Sequence, residues 1–280
     1  MTGASGRAGR AVVVDLHDHG YHVLGTDIAP EPESAPVTER ADFIHADLLD
    51  FGQVVEIMAG VDAVIHLANI PAPGLRAPAV TFNENMTMNF NVFQAATRAG
   101  VGRVVWASSE TTLGLPFDVP PRYAPVDEDH FPLPTSTYAL SKVATETIAA
   151  HFAQWSGIPF IALRFSNILG PEDYKEFPSY WDDPLARKWN LWGYIDERDV
   201  AAACRLALHA DVTGSTSLII AAADTVMTRP SEELMAEVFP GVPLRGPVPG
   251  HATLLSNERA RQVLGFEPEH SWRQYVAEPG

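Results

Sequence analysis

Cysteine is nearly absent. Cys204 is the only one in 280 residues, which excludes an internal disulfide and a thiolate metal cluster. Positive charge is scarce as well. Lys and Arg number 19 against 35 Asp and Glu, a formal net charge of −16. Nucleic acid and anionic membrane surfaces recruit basic patches, so neither is an expected partner. No apolar run approaches membrane-spanning length, and the polar, glycine-rich start does not read as a signal peptide. The ten histidines fall at no metal-ligand spacing, and no metal is expected. With 46% hydrophobic residues, what is left is an acidic, cytoplasmic chain. It is large enough for one big domain or for a nucleotide-binding domain with a small companion.

One further absence concerns a strand. Thr2 to Gly9 read TGASGRAG, and only Met1 precedes them. Such a glycine run belongs where a buried strand turns into a helix. Its glycines permit a tight turn, close approach to a pyrophosphate and close helix–strand packing. The anion then meets the free N–H groups of the helix N-terminus. The strand that should feed this turn is missing, and in such folds it lies mid-sheet. The expectation is that the natural chain starts upstream, with an apolar run of about five or six residues.

What is present is a regular alternation. A helix is expected over 7–19, strands over 21–27, 42–45 and 61–67, a helix over 79–99, a strand over 102–107, a helix over 136–156 and a strand over 159–164. Short apolar strands alternating with helices pair in parallel through βαβ crossovers. The fold class is therefore α/β, a doubly wound parallel sheet of Rossmann type. Residues 1–165 would form the dinucleotide-binding domain. Residues 166–280 would form a small substrate-binding region, with part of 193–222 returning to the sheet. The proline-rich stretches 71–78 and 116–134 read as loops over a site.

Two groups of residues carry chemistry. In the first, the glycine run offers Gly3, Ser5, Gly6, Arg7, Ala8 and Gly9 to a dinucleotide, and Asp27 ends the next strand. A carboxylate there accepts hydrogen bonds from the adenosine ribose and repels a 2′-phosphate, so the cofactor reads as NAD. The plain alternative for Asp27 is a turn cap. Asp47-Leu48 follows the 42–45 strand, where it either contacts adenine or caps a helix. In the second group, Tyr138 and Lys142 form a YxxxK pair on one helix face. The ammonium should lower the phenol pKa, so that Tyr138 takes a proton from a substrate hydroxyl. Ser108-Ser109 ends an apolar strand at the edge suited to chemistry, and Ser109 would align the reacting oxygen. Alone, Ser109 reads equally as a strand-end cap and Lys142 as a solvated helix residue.

Taken in order, these segments resemble the extended short-chain dehydrogenase/reductase family, the NAD-dependent epimerase/dehydratase group. The likeness runs through TGASGRAG, Asp27, Asp47-Leu48, HLAN (66–69), NMTMNFNV (85–92), SSETTLG (108–114), YALSK (138–142), LRFSNILGP (163–171), YIDERDVA (194–201) and NERARQVLGFEP (257–268). It implies Ser109, Tyr138 and Lys142 as catalytic residues. It adds Leu67, Ala68, Asn69, Asn85 and Phe165 to the cofactor set, with His66 structural. For substrate it implies Ser109, Glu110 and Asn167. Asn69 and Met88 depart from the family's more usual Ala or Gly. Members that bind nucleotide-linked sugars usually carry a longer insert after the LRxxN strand than the stretch 170–193 seen here, so a small substrate is favoured. The segment 187–199 is similar to uronate dehydrogenases, in which an arginine five residues before a tryptophan grips a carboxylate. Arg187 and Trp192 fit that spacing, the alternative being a surface Arg187 paired with Asp182 or Asp183. The main reading is an NAD-dependent dehydrogenase of a small sugar, sugar acid or polyol. A nucleotide-sugar epimerase or dehydratase and a non-catalytic NAD-binding sensor are the alternatives. The resemblance implies a homodimer through the helices 79–99 and 136–156, the alternative being that their apolar stripes face the sheet.

Overall fold

The two middle strands show why the sheet is buried on both faces. Along β4 (Val104–Ser109) and β5 (Phe160–Phe165), successive side chains point to opposite faces. Val104, Trp106, Phe160 and Ala162 join one apolar cluster, whereas Val105, Ile161 and Leu163 join another. Except for Ser108, Ser109 and Arg164, every residue in these runs is apolar, because both faces are covered. The computed structural model describes residues 1–30 and 37–277, so the last three positions of the 166–280 region lie outside it.

The remaining elements in chain order are α1 (Arg7–Asp18), β1 (Leu24–Asp27), β2 (Asp42–His45), α2 (Phe51–Ile57), β3 (Val64–His66) and α3 (Pro78–Ala99). After β4 and before β5 lies α4 (Thr137–Ser156). Then come β6 (Ile168–Leu169), β7 (Ile195–Asp196), α5 (Glu197–Ala207), β8 (Ser215–Ile220), α6 (Ser231–Val238) and α7 (Glu258–Leu264). All strand pairs are parallel, with β3-β4-β5-β8 in one ladder and β1-β2 in another. Thr2 bridges the two, pairing with Thr26 on one side and His66 on the other. Its N–H donates to the Ile65 carbonyl at 2.9 Å, and its carbonyl accepts from Leu67 N–H at 3.1 Å. The glycine run thus begins at the centre of the sheet, between β1 and β3.

Helices α1 and α5 cover one face, and α2, α3 and α4 the other. On the second face Phe93 of α3 packs edge-on against Trp106, Phe152 and Phe160. Such aromatic pairs add about 0.5–1.5 kcal/mol each beyond their buried area. Beyond β5 the chain builds a third apolar cluster from short pieces, including Tyr174, Phe177, Trp192, Tyr194 and Trp272. Ser215–Ile220 returns to pair with β5, with Phe165 opposite Ile220. Among the described residues no helix is long and apolar enough to cross a membrane, and no cluster of His, Cys, Asp and Glu could hold a metal ion.

Candidate active site

The carboxyl ends of the strands open into a cleft of about 1230 Å³, the place where open α/β sheets bind ligands. The glycine run and Asp27 form one end of it. Tyr138, Lys142, Ser109, Glu110 and Asn167 lie along it, with Trp189 and the 70–73 segment.

At the first end the helix must sit close to the turn. Gly3 has φ +75°, and a Cβ there would stand 2.7 Å from the Ala68 nitrogen. A Cβ on Gly9 would stand 1.9 Å from the Gly3 carbonyl oxygen. Both positions therefore demand glycine. Helix α1 has no side-chain cap at Gly6 and no acidic residue in its first turn. Its leading N–H groups and dipole are left for an anion. Asp27 caps the turn and stands on the cleft wall. Its carboxylate accepts from Ser5 N–H and Ala29 N–H, each at 3.0 Å, and it lines the cleft. Asp47 also lines the cleft beside Leu48, but it caps no helix. Its Oδ1 accepts from Leu49 N–H at 2.9 Å, while Asp50 is the N-cap of α2. Leu67, Ala68, Asn69 and Phe165 stand on the wall as expected. Asn85 does not. Fully buried, it holds the Ile70 backbone through both its amide atoms, at 2.8 and 3.1 Å. The Arg7 side chain reaches across to Asp173.

Tyr138 and Lys142 occupy the first turns of α4, whose N-cap Ser136 accepts from Ala139 N–H at 3.1 Å. The i, i+4 spacing continues to Glu146, so three polar groups share one face. Lys142 is 2% exposed. Its ammonium donates to Asn69 Oδ1 at 2.8 Å and to the Ala107 carbonyl at 2.7 Å. It also lies 5.6 Å from the centre of the Tyr138 ring. Glu146 is bidentate with Arg164, at 2.9 and 2.7 Å, and accepts from Ser108 Oγ at 2.6 Å. This fixes α4 against β4 and β5. Ser109 Oγ accepts from Thr111 N–H at 3.2 Å and from Thr111 Oγ1 at 3.0 Å, and it shares the cleft wall with Tyr138. It is a strand-end cap and a neighbour of the phenol at once.

The protonation balance runs against expectation. Burial pushes the Tyr138 phenol up to about 12, opposed by the Ser109 hydrogen bond and aided by the Glu110 charge. Burial brings Lys142 itself down to about 7, with Glu146 pulling it up. The ammonium is turned onto two oxygens, and its desolvation outweighs the phenolate stabilisation that spacing alone suggested. His66 is structural. Hydrogen-bonded at 2.6 Å to Thr2 Oγ1 and at 2.8 Å to Asn89 Oδ1, it falls to about 3 through burial.

Glu110 and Arg187 are the largest departures. Glu110 is 3% exposed. Its carboxylate accepts from Ser166 Oγ at 2.6 Å and from Asn190 Nδ2 at 3.3 Å. Burial lifts it to about 7 against these bonds and the Arg187 charge. Arg187 is not on the cleft wall, and neither expectation for it holds. It is not a surface arginine paired with Asp182 or Asp183. It is buried, donating to the Gly193 carbonyl at 3.2 Å, with its guanidinium 4.9 Å from the Trp189 ring centre. Thr111, Ser166, Asn190, Trp189 and the Glu146–Arg164 pair were not anticipated. Only Glu146 carried a signal, its i+4 spacing from Lys142.

Residues 1–221 match the model of the NAD dependent epimerase/dehydratase family. UDP-glucose 4-epimerase of Corynebacterium glutamicum is 25% identical over 311 residues, spanning 99% of this chain and 93% of that one. Uronate dehydrogenase of Pseudomonas putida is 30% identical over 168 residues, 60% of this chain and 59% of its own. A short-chain dehydrogenase/reductase superfamily protein from Agrobacterium tumefaciens, crystallised with bound NAD, superposes with a TM-score of 0.73 at 25% identity, covering 98% of this chain and 94% of that one. The glycines that admit no Cβ, the uncapped helix start and the carboxylate at the end of β1 suit a dinucleotide such as the NAD bound in the Agrobacterium protein, and the chain belongs to the NAD-dependent epimerase/dehydratase family of enzymes, with NAD as its cofactor.

Proposed function

We propose that this enzyme is an NAD-dependent dehydrogenase of a small, sugar-like substrate, with Tyr138 as the proton acceptor. The observation that carries the reading is that Ser109, at the carboxyl end of β4, Tyr138 and Lys142 line the same cleft whose far end is the glycine turn. NAD, when bound, takes a hydride from the carbon bearing the hydroxyl. Gly3, Ser5, Gly6, Arg7, Ala8 and Gly9 would hold its pyrophosphate and Asp27 a ribose, with Asp47, Leu48, Leu67, Ala68, Asn69 and Phe165 along its length. Ser109 holds the substrate oxygen against the phenol, and Tyr138, once its own proton has passed to solvent, receives the hydroxyl proton as the phenolate. Lys142, held by Asn69 and Ala107, stands beside the ring. Asn167 and Glu110 meet the substrate. The short stretch 170–193 supports a substrate without a nucleotide handle.

The full-length likeness to a UDP-glucose 4-epimerase favours a second reading, in which the hydride returns to the substrate. The two separate on mixing enzyme and NAD with simple sugars, sugar acids and UDP-sugars. Net NADH supports the dehydrogenase, and isomerised sugar without NADH supports the epimerase. Tyr138→Phe should bind NAD normally and lose about 10²–10⁴-fold in turnover; an active Phe variant removes Tyr138 as the base. The reading also includes a cytoplasmic homodimer. α3 and α4 leave Phe90, Leu140 and Trp155 exposed, the side chains such an interface would cover.

A further inference from the structure

We infer that Glu110 makes this site selective for an uncharged, hydroxyl-bearing substrate and hostile to a carboxylate at the reacting end; the inference rests on the hydride-transfer reading above. Glu110 follows Ser109 directly and shares the cleft wall with Ser166 and Asn167. Its two oxygens take one side-chain hydrogen bond each, from Ser166 and Asn190, and the Asn167 N–H donates as well. A carboxylate accepts about four hydrogen bonds, so a place is left for a substrate hydroxyl.

The charges are arranged with the anion facing the cleft and the cation behind it. The cation that acts on Glu110 is Arg187. Its guanidinium lies behind the wall, held by the Gly193 carbonyl and packed on the rings of Tyr180 and of the wall residue Trp189. The other cations on the wall are committed or peripheral. Lys142 is bound to Asn69 and Ala107, Arg7 to Asp173, and Arg76 stands exposed on the 71–78 loop at the mouth. A hydroxyl beside Glu110 donates to it. A carboxylate in the same place meets a like charge in a dry environment with no cation to offset it. This reverses the role that spacing alone gave to Arg187. The arginine balances the protein's own acid and grips no substrate.

The test pairs aldohexoses with their matched hexuronates. Binding to the NADH-loaded enzyme is followed by calorimetry, and NADH formation from NAD by absorbance, both at about pH 8–9 so that Glu110 carries its charge. The wild-type protein should prefer the neutral member of each pair it accepts by about tenfold or more. Glu110→Gln keeps the shape and removes the charge; it should bring the pair within about threefold, mainly by improving the uronate. A wild-type preference for the hexuronate overturns the inference whether or not the variant folds. So does an unchanged ratio in the variant, or a failure of both ligands to bind. Binding of the neutral sugar with no NADH formed would strike the dehydrogenase reading while leaving the role of Glu110 intact.

Discussion

Lys142→Met is the sharpest probe of the site, because burial of the lysine ties stability to pH. The side chain is 2% exposed, and its pKa falls from 10.5 to about 7. Between these values the unfolded chain holds the proton and the folded chain releases it. Stability therefore rises with pH through this window; the contribution is complete above the unfolded pKa and is lost as pH falls toward the folded one. At about 1.4 kcal/mol per unit, the full span is about 5 kcal/mol. Methionine has similar length and no charge, so its variant lacks this dependence. Urea midpoints of both proteins at about pH 7 and about pH 9 give the stability difference at each pH. That difference should shift by about 2 kcal/mol in favour of the wild type on going to the higher pH. Groups that titrate in both proteins cancel, and the hydrogen bonds lost to Asn69 and Ala107 add only a constant. A difference that stays flat with pH would mean that the ammonium keeps its proton when buried, and the reasoning would fail.

Three other perturbations bear on the same architecture. Gly9→Ala places a methyl 1.9 Å from the Gly3 carbonyl, so the turn must open. Dinucleotide binding, read by protein fluorescence, should fall at least about tenfold, and unaltered affinity would show that the turn yields. Asp27→Asn keeps the oxygen that can accept from Ser5 or Ala29 and drops the charge. The preference for NAD over NADP should narrow by about tenfold, and an unmoved ratio takes Asp27 out of the ribose site. Arg187→Ala strands the Glu110 charge in the interior. It should cost about 1–3 kcal/mol in denaturant unfolding and depress activity on neutral and acidic substrates alike. A loss confined to acidic substrates would return Arg187 to the cleft.

Local pattern carried the first 165 residues well. Helix α4 begins within one residue of its expected start because Ser136 is a recognisable cap, and β4 and β5 show as apolar runs bounded by helices. Gly3, Gly9, Asp27, Ser109 and Tyr138 were legible for the same reason. Each sits at a strand end or first helical turn, where sequence neighbours dictate position. Where distant groups decide, the sequence was silent or misleading. Asn85 lies on the cofactor-side helix, yet it is spent on the Ile70 backbone fifteen residues earlier. Arg187 has the spacing of a substrate clamp, but the short 3₁₀ segment after it turns its head toward Gly193. No periodicity announces such a turn. The sign of the Tyr138 shift was missed for a related reason. Helical spacing brings Lys142 near the ring, whereas desolvation depends on β4, β5 and Asn69 closing around both.

The placement of Tyr138 has one more consequence. The phenol sits in the opening turn of its helix, two residues past Ser136, whose hydroxyl secures that turn and also faces the cleft. Helix ends unravel more readily than middles, so this hydroxyl clasp adds to the hold that the Glu146–Arg164 pair has on the helix further along. A ligand that courts the Ser136 oxygen with its own hydroxyl would loosen the tether of the group meant to act on it. Compounds of that kind would inhibit by setting the base adrift, without ever touching it.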